Sequence, residues 1–181
     1  MDLVAHTIHN YSDQIWIFPK LINDQYANNV LNVLENCQYK ESKKLDPGSF
    51  NYVFGQCKHI SHEIVQYVNS KDFHKFVNHH TGQNINTTLS CWASAYSMGH
   101  YLTPHSDAVG KRKMAYIFYF NKGWKAEWGG NIAFDKGTHW QMFVPQNGTL
   151  VLFNVEDNSN KHMVTNVAVD KTRYAITGWL I

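Results

Sequence analysis

Three side chains far apart in the sequence have the right types to hold one metal ion. In Pro104-His105-Ser106-Asp107 an extended chain turns residues i and i+2 to the same face, so His105 and Asp107 can converge on one point. His162, in Lys161-His162-Met163-Val164, supplies a third donor at the entrance of the penultimate β-type run. Two histidines and one carboxylate form the donor set that holds non-haem iron(II) and leaves coordination positions open. Chemistry with O2 and a chelating 2-oxo acid needs those open positions; the metal supplies the oxidising power, and the protein supplies geometry and a dry site.

A second piece lies in Thr172-Arg173-Tyr174-Ala175-Ile176-Thr177-Gly178-Trp179. On a strand, Arg173, Ala175, Thr177 and Trp179 share one face. A guanidinium offers a planar, permanently charged fork that matches a carboxylate. Inside a barrel an unpaired charge is costly, so Arg173 calls for an anionic partner, and the distal carboxylate of 2-oxoglutarate meets that need. Neither piece is specific alone, because His-x-Asp arises by chance and the chain has 11 histidines. Order sharpens the reading: His-x-Asp, glycine turns, a β-rich block, His162, then Arg173 eleven residues on. The other histidines read as structural. His100 precedes the motif, His139 sits in a Gly-Thr-His turn, and His79-His80 end a helix, where positive charge suits the dipole.

The elements that must position these groups divide near Gly82-Gln83. Before that point the pattern is mostly helical. Asn23 can cap a helix carrying Tyr26, Val30, Leu31 and Leu34; Ser61 to Val65 starts a second; Ser70 caps a third that runs through His80 to a stop at Gly82. Lys40 to Phe54, with Pro47-Gly48, reads as a loop or irregular hairpin. After Gly82 come short β-type runs: Thr88–Tyr96, His100–Leu102, Lys113–Phe120, Asn131–Phe134, Met142–Val144, Thr149–Phe153, Met163–Val169 and Thr172–Leu180. Eight short strands without long intervening helices predict a mainly β fold, a double-stranded β-helix (jelly roll) with the N-terminal helices packed on one sheet. The expected organisation is one domain over 1–181, a helical support region at 1–82 and a jelly-roll core at 83–181.

Composition narrows the classes of function. A chain of 181 residues with 44% apolar and 17% charged residues suits one globular domain with a real core. The net charge of +2 and the short Lys111-Arg112-Lys113 cluster give no basic stripe with interleaved aromatics, so no nucleic-acid partner is expected. No run approaches a membrane span, and Met1 to Asn10 lacks the apolar core of a secretory signal. Cys37, Cys57 and Cys91 are odd in number and far apart, which fits reduced thiols in the cytoplasm.

With these residues in view, the sequence from about Phe73 to Ile181 resembles the prolyl 4-hydroxylase branch of the Fe(II)/2-oxoglutarate oxygenases. Tyr119-Phe120-Asn121-Lys122-Gly123-Trp124 with Gly129-Gly130 resembles that family's Tyr-Leu-Asn, Trp and Gly-Gly block. Val144-Pro145, Gly148 and Phe153 resemble its Pro-x-x-Gly turn. Thr172 to Trp179 is similar to the last strand of the oxygen-sensing prolyl hydroxylases, and Phe73-His74-Lys75-Phe76 with Thr81-Gly82 to an upstream helix and turn. The resemblance implies that His105, Asp107 and His162 are the metal ligands. It implies that Arg173, Tyr119, Thr177 and Tyr96 hold 2-oxoglutarate, the spacing of Tyr96 to His105 departing by a residue. Arg112, Trp124 and Trp179 fall to the substrate entrance. Asp107 stands where related halogenases carry a small residue, which favours hydroxylation. The substrate-covering loops of the oxygen-sensing enzymes have no counterpart in Lys40–Phe54. The implied cofactors are Fe(II), 2-oxoglutarate and O2, with ascorbate as a reductant, and the implied reaction is hydroxylation of a prolyl residue in a protein or peptide. Two other readings stay open: hydroxylation of a free amino acid or small natural-product precursor, and a non-enzymatic cupin-like module that binds metal or sugar. Substrate, stereochemistry and oligomeric state are not written in the sequence.

Overall fold

The computed structural model describes residues 9–11, 14–158 and 160–181; Met1–Ile8, where the sequence shows no signal-like run, lies outside them. The chain runs β1 (His9–Tyr11), β2 (Ile15–Phe18), α1 (Asp24–Glu35), β3 (Lys40–Lys44), β4 (Tyr52–Cys57), α2 (Glu63–Val68) and α3 (Lys71–Thr81). It continues through β5 (Trp92–Tyr96), β6 (Tyr101–His105), β7 (Met114–Tyr119), a 3-10 turn at Ala126–Trp128, β8 (Ile132–Asp135) and β9 (Trp140–Phe143). The last strands are β10 (Thr149–Asn154), β11 (His162–Val164) and β12 (Arg173–Leu180).

The helix caps follow from local chemistry. The Asn23 side chain accepts from the Tyr26 N–H at 2.8 Å, and Ser70 Oγ accepts from the Phe73 N–H at 3.2 Å. Gly82 ends α3 at φ 71°, a left-handed conformation that costs a residue with a Cβ about 1 kcal/mol or more. The middle helix begins at Glu63, with the His62 ring nitrogen accepting from the Ile64 N–H at 3.1 Å.

All twelve strands belong to one curled antiparallel sheet, ordered β1-β2-β10-β7-β12-β5-β4-β6-β11-β8-β9, with β3 on β4. Each of the eight β-type runs after Gly82 contains a strand, but the penultimate is shorter than its apolar pattern suggests. Beyond Val164 the chain leaves the ladder, and the Thr165 N–H goes instead to the Asn131 carbonyl. The region before Gly82 differs more. It contributes four strands, and the segment Lys40–Phe54 forms much of a regular hairpin, with Lys40 opposite Gln56 and Lys44 opposite Tyr52. The alternation Tyr52-x-Phe54 is the period-2 signal; the polar Lys40–Lys44 strand hid it, because that strand is at an edge, where lysines discourage further pairing.

Strand β4 carries the curl. Its Cys57 end pairs with β5 and its Tyr52 end with β6. At the bend a Cβ on Gly55 would sit 3.1 Å from Tyr39 Cβ and 3.4 Å from Ala95, so only glycine fits without displacement.

Strand β7 reads as an unbroken apolar run because both its faces are buried. Met114, Tyr116 and Phe118 join a cluster with Ala27, Val30 and Leu34 of α1, Ile64 and Val68 of α2, and Phe73 and Val77 of α3. Ala115, Ile117 and Tyr119 point the other way, into a cluster with Phe134, Val151, Phe153 and Ala175. Burying one such Phe or Leu contributes roughly 1.5–3 kcal/mol.

Candidate active site

The sheet register brings the two histidines together. His162 of β11 lies directly across from His105 of β6, with ring centroids 4.2 Å apart. Asp107 follows the end of β6 and folds back, with its Oδ1 3.6 Å from His105 Nε2 and its Oδ2 3.7 Å from His162 Nε2. One donor atom from each of the three lies within 4.8 Å of the others, and no other such cluster occurs among the described residues.

Each imidazole is oriented by a backbone carbonyl so that its Nε2 faces the other donors. His105 Nδ1 is 3.0 Å from the Thr103 carbonyl, and His162 Nδ1 is 2.9 Å from the Asn160 carbonyl. A carbonyl can only accept, so Nδ1 carries the proton and Nε2 presents a lone pair. Burial pushes the pKa of His162 down to about 4; the neighbouring His105 adds to this and Asp107 opposes it. At neutral pH the ring is therefore an uncharged ligand.

The three groups line a cavity of about 790 Å³ that also receives Arg173, Tyr96, Thr177, Arg112 and Trp179. Arg173 is 2% exposed, and its Cζ lies 4.8 Å from the ring centroids of both Tyr96 and Tyr119. Cross-strand pairing sets this arrangement, Arg173 opposite Tyr96 and Ala175 opposite Tyr119. Arg173 has no carboxylate partner among the described residues, and its Nε and the Tyr119 hydroxyl are buried without a hydrogen-bond partner. Burial raises the pKa of the Tyr119 hydroxyl and the Arg173 charge pulls against it, so it stays a neutral donor. A buried cation beside an unused O–H fits one carboxylate of an oxo-diacid.

The remaining expected residues fall differently. Tyr119 stands behind Arg173, outside the cavity lining. Thr177 lines the cavity, but its hydroxyl donates to the Tyr116 carbonyl at 2.9 Å, so it can only accept from a ligand. Trp124 lies outside the cavity: its indole donates to the Gly129 carbonyl at 2.8 Å and packs edge-on against Trp128, because the Gly129-Gly130 turn closes over it. Arg112 and Trp179 are at the rim, the guanidinium carbon 3.4 Å from the indole centroid. His100 serves its own turn, accepting from the Ser97 N–H at 3.2 Å, and the His139 ring pairs with the neighbouring Thr138 hydroxyl at 3.1 Å.

A feature missed in the sequence is an aromatic wall. Phe50 stacks on His105 at 5.2 Å, then Tyr52, Phe54 and Tyr96 follow in ring contact down to Arg173. Its signal was the spacing Phe50-x-Tyr52-x-Phe54, obscured by reading that stretch as a loop.

Residues 89–181 match a family model described as the 2OG-Fe(II) oxygenase superfamily. Prolyl 3,4-dihydroxylase OGFOD1 of Ostreococcus tauri is 31% identical over 127 residues, which is 63% of this chain and 25% of that protein. The chain thus spans about a quarter of the length of the curated relatives it matches. Among solved structures, a Pseudomonas putida prolyl-4-hydroxylase is 17% identical with a TM-score of 0.68, covering 93% of this chain and 92% of that one. A Trichoplax adhaerens prolyl hydroxylase, in complex with a hypoxia inducible factor peptide fragment, is 19% identical with a TM-score of 0.73, covering 94% and 84%. These likenesses show the jelly-roll fold of the 2-oxoglutarate oxygenases.

Proposed function

We propose, starting from the fact that this chain belongs to the 2OG-Fe(II) oxygenase superfamily, that it hydroxylates a prolyl residue of a protein or peptide. Membership makes it an enzyme that uses Fe(II), 2-oxoglutarate and O2. The observation that carries the residue roles is the shared cavity: three metal-type donors whose Nε2 and carboxylate atoms converge, and a buried Arg173 with no acid partner among the described residues. In this reading His105, Asp107 and His162 hold the iron. Arg173, flanked by Tyr96 and Tyr119, takes the distal carboxylate of 2-oxoglutarate, and the apolar walls of Ile117, Ile132, Val164 and Phe153 keep water from the reacting centre. The bound iron supplies the oxidant made from O2 and the 2-oxo acid. The cupin-like binding module is the weaker reading, since binding alone needs no buried cation opposite an open donor set.

The prolyl assignment is supported by the curated relatives, named as prolyl hydroxylases, and by exposed apolar side chains at the mouth of the cavity. Phe50 and Val109 at that mouth are 40% and 59% exposed. The same reading treats 1–181 as one domain in which the helices buttress the sheet behind the site, and places it in the cytoplasm, where its three free thiols stay reduced. No helix among the described residues is long and apolar enough to cross a membrane.

The test supplies Fe(II) and 2-oxoglutarate with panels of prolyl peptides and free amino acids, and follows succinate and product mass. Succinate coupled to one added oxygen on proline in a peptide is the expected result. Oxygen added only to a free amino acid would transfer the assignment to small-molecule hydroxylation, and metal binding without succinate would favour the binding module.

A further inference from the structure

We propose that Trp179 is a positioning residue for the Asp107 carboxylate, steadied by Arg112, and not only part of the substrate entrance. The inference rests on the reading that His105, Asp107 and His162 hold the metal. Both histidines are fixed by backbone carbonyls, those of Thr103 and Asn160. Asp107 lies beyond the last residue of β6, where no ladder fixes it, and its support comes from side chains. The Trp179 indole N–H donates to Asp107 Oδ2 at 2.9 Å, and Arg112 Nη1 lies 3.9 Å from Oδ1.

An indole has one donor and no acceptor, so the tilt of the ring sets the rotation of the carboxylate. That ring is held from several directions. Arg112 lies over it at 3.4 Å, Trp92 packs against it at 4.8 Å, and its backbone bonds to Ser90 Oγ and the Leu89 N–H. The small Ala115 faces it across the strand pair. With Oδ2 accepting from the indole, Asp107 would favour binding the metal through one oxygen rather than two, which would leave open the positions that 2-oxoglutarate and O2 require. Strand β12 then serves both halves of the chemistry, Arg173 at one end for the cosubstrate and Trp179 at the other for the metal-binding carboxylate.

The test uses Trp179→Phe, which keeps an aromatic ring and removes the N–H, with Mn(II) as an air-stable probe in calorimetric titration and Co(II) absorption as a view of the ligand field. The expected result is roughly tenfold to a hundredfold weaker Mn(II) affinity and an altered Co(II) spectrum. Arg112→Gln, which removes the cation that stacks on the indole and pairs with Asp107 Oδ1, should weaken Mn(II) in the same direction by less, and it carries the test alone if Trp179→Phe does not fold. Wild-type affinity and an unchanged spectrum, with only the KM for peptide raised, would reduce both residues to substrate contacts and overturn the proposal. Failure of the wild-type protein itself to bind Mn(II), so that His105→Ala makes no difference, would overturn the metal reading beneath it.

Discussion

The two faces of β7, β10 and β12 are buried by different means. On the helix side Tyr116, Phe118, Leu150, Leu152 and Ile176 join one buried cluster with side chains of α1 to α3. The Asn121 amide donates to the carbonyls of Pro145 and Tyr174 while accepting from the Tyr174 N–H, and the Tyr116 hydroxyl donates to the Ser90 carbonyl. On the other face the same strands enclose a cavity, and there the buried Arg173 has no acid partner among the described residues. The helix-side face, with the larger buried apolar cluster, does most to hold the molecule together. In the proposed reading the cavity face, which buries the Arg173 guanidinium, is completed by a ligand, and it tolerates its unpaired cation because the first face supplies much of the stability.

That contrast can be broken most sharply at the metal donors. His105→Ala should reduce succinate formation to the level of a blank without enzyme, while the thermal midpoint of the metal-free protein stays near that of the wild type. A large fall in the midpoint would show that the cavity face is structural after all. On the opposite face, Phe118→Ala should destabilise by about 3–5 kcal/mol in urea unfolding, since the side chain is fully buried and the cavity left behind cannot be filled. Its folded fraction should keep the wild-type KM for 2-oxoglutarate. Arg173→Met replaces a buried unpaired cation by an apolar chain of similar length. It should leave urea stability equal or improved, yet raise the KM for 2-oxoglutarate by about tenfold to a hundredfold, as expected for loss of a charge-assisted hydrogen bond.

The smallest effect concerns pH and the helix side. His74 is 7% exposed, and its Nε2 lies 2.9 Å from the Thr88 hydroxyl, which itself donates to the Val68 carbonyl. The hydroxyl therefore accepts from the imidazole, and burial holds the His74 pKa below its ordinary value. The unfolded chain takes up this proton near pH 6.5 while the folded chain resists it to lower pH, so stability should fall as pH drops below about 6.5 and be level above. His74→Gln should flatten part of that slope in urea midpoints measured from pH 5 to pH 8. An unchanged slope would assign it to His80 and His162, whose pKa values are also lowered by burial.

Much of this was legible in the chain. The helix caps Asn23 and Ser70 and the stop at Gly82 act through bonds to near neighbours, so local sequence carries them. His105 and Asp107 were readable as a His-x-Asp pair, although Asp107 lies past the end of β6 and not on the strand as the i, i+2 rule supposes, and His162 and Arg173 through their order in the β-rich block. What was not legible depends on tertiary partners. Lys40–Lys44 looks like a loop because an edge strand needs no apolar face, and the run after Val164 looks like a strand because its apolar residues fill a corner between turns. Trp124 and Trp179 are indistinguishable as residue types. Only the fold shows that one indole donates to a turn carbonyl and the other to Asp107. Thr177 stands on the expected face, but the demand of the Tyr116 carbonyl for a donor takes its proton.

The central claim is that the metal donors and Arg173 form one site completed by 2-oxoglutarate. Its most direct test is calorimetric titration of 2-oxoglutarate, without O2, into Mn(II)-loaded and metal-free protein, repeated with Arg173→Met. The account predicts tight binding to the loaded wild type, much weaker binding without metal, and binding about tenfold to a hundredfold weaker in the metal-loaded variant than in the metal-loaded wild type. Binding of equal strength in all of these states would contradict it.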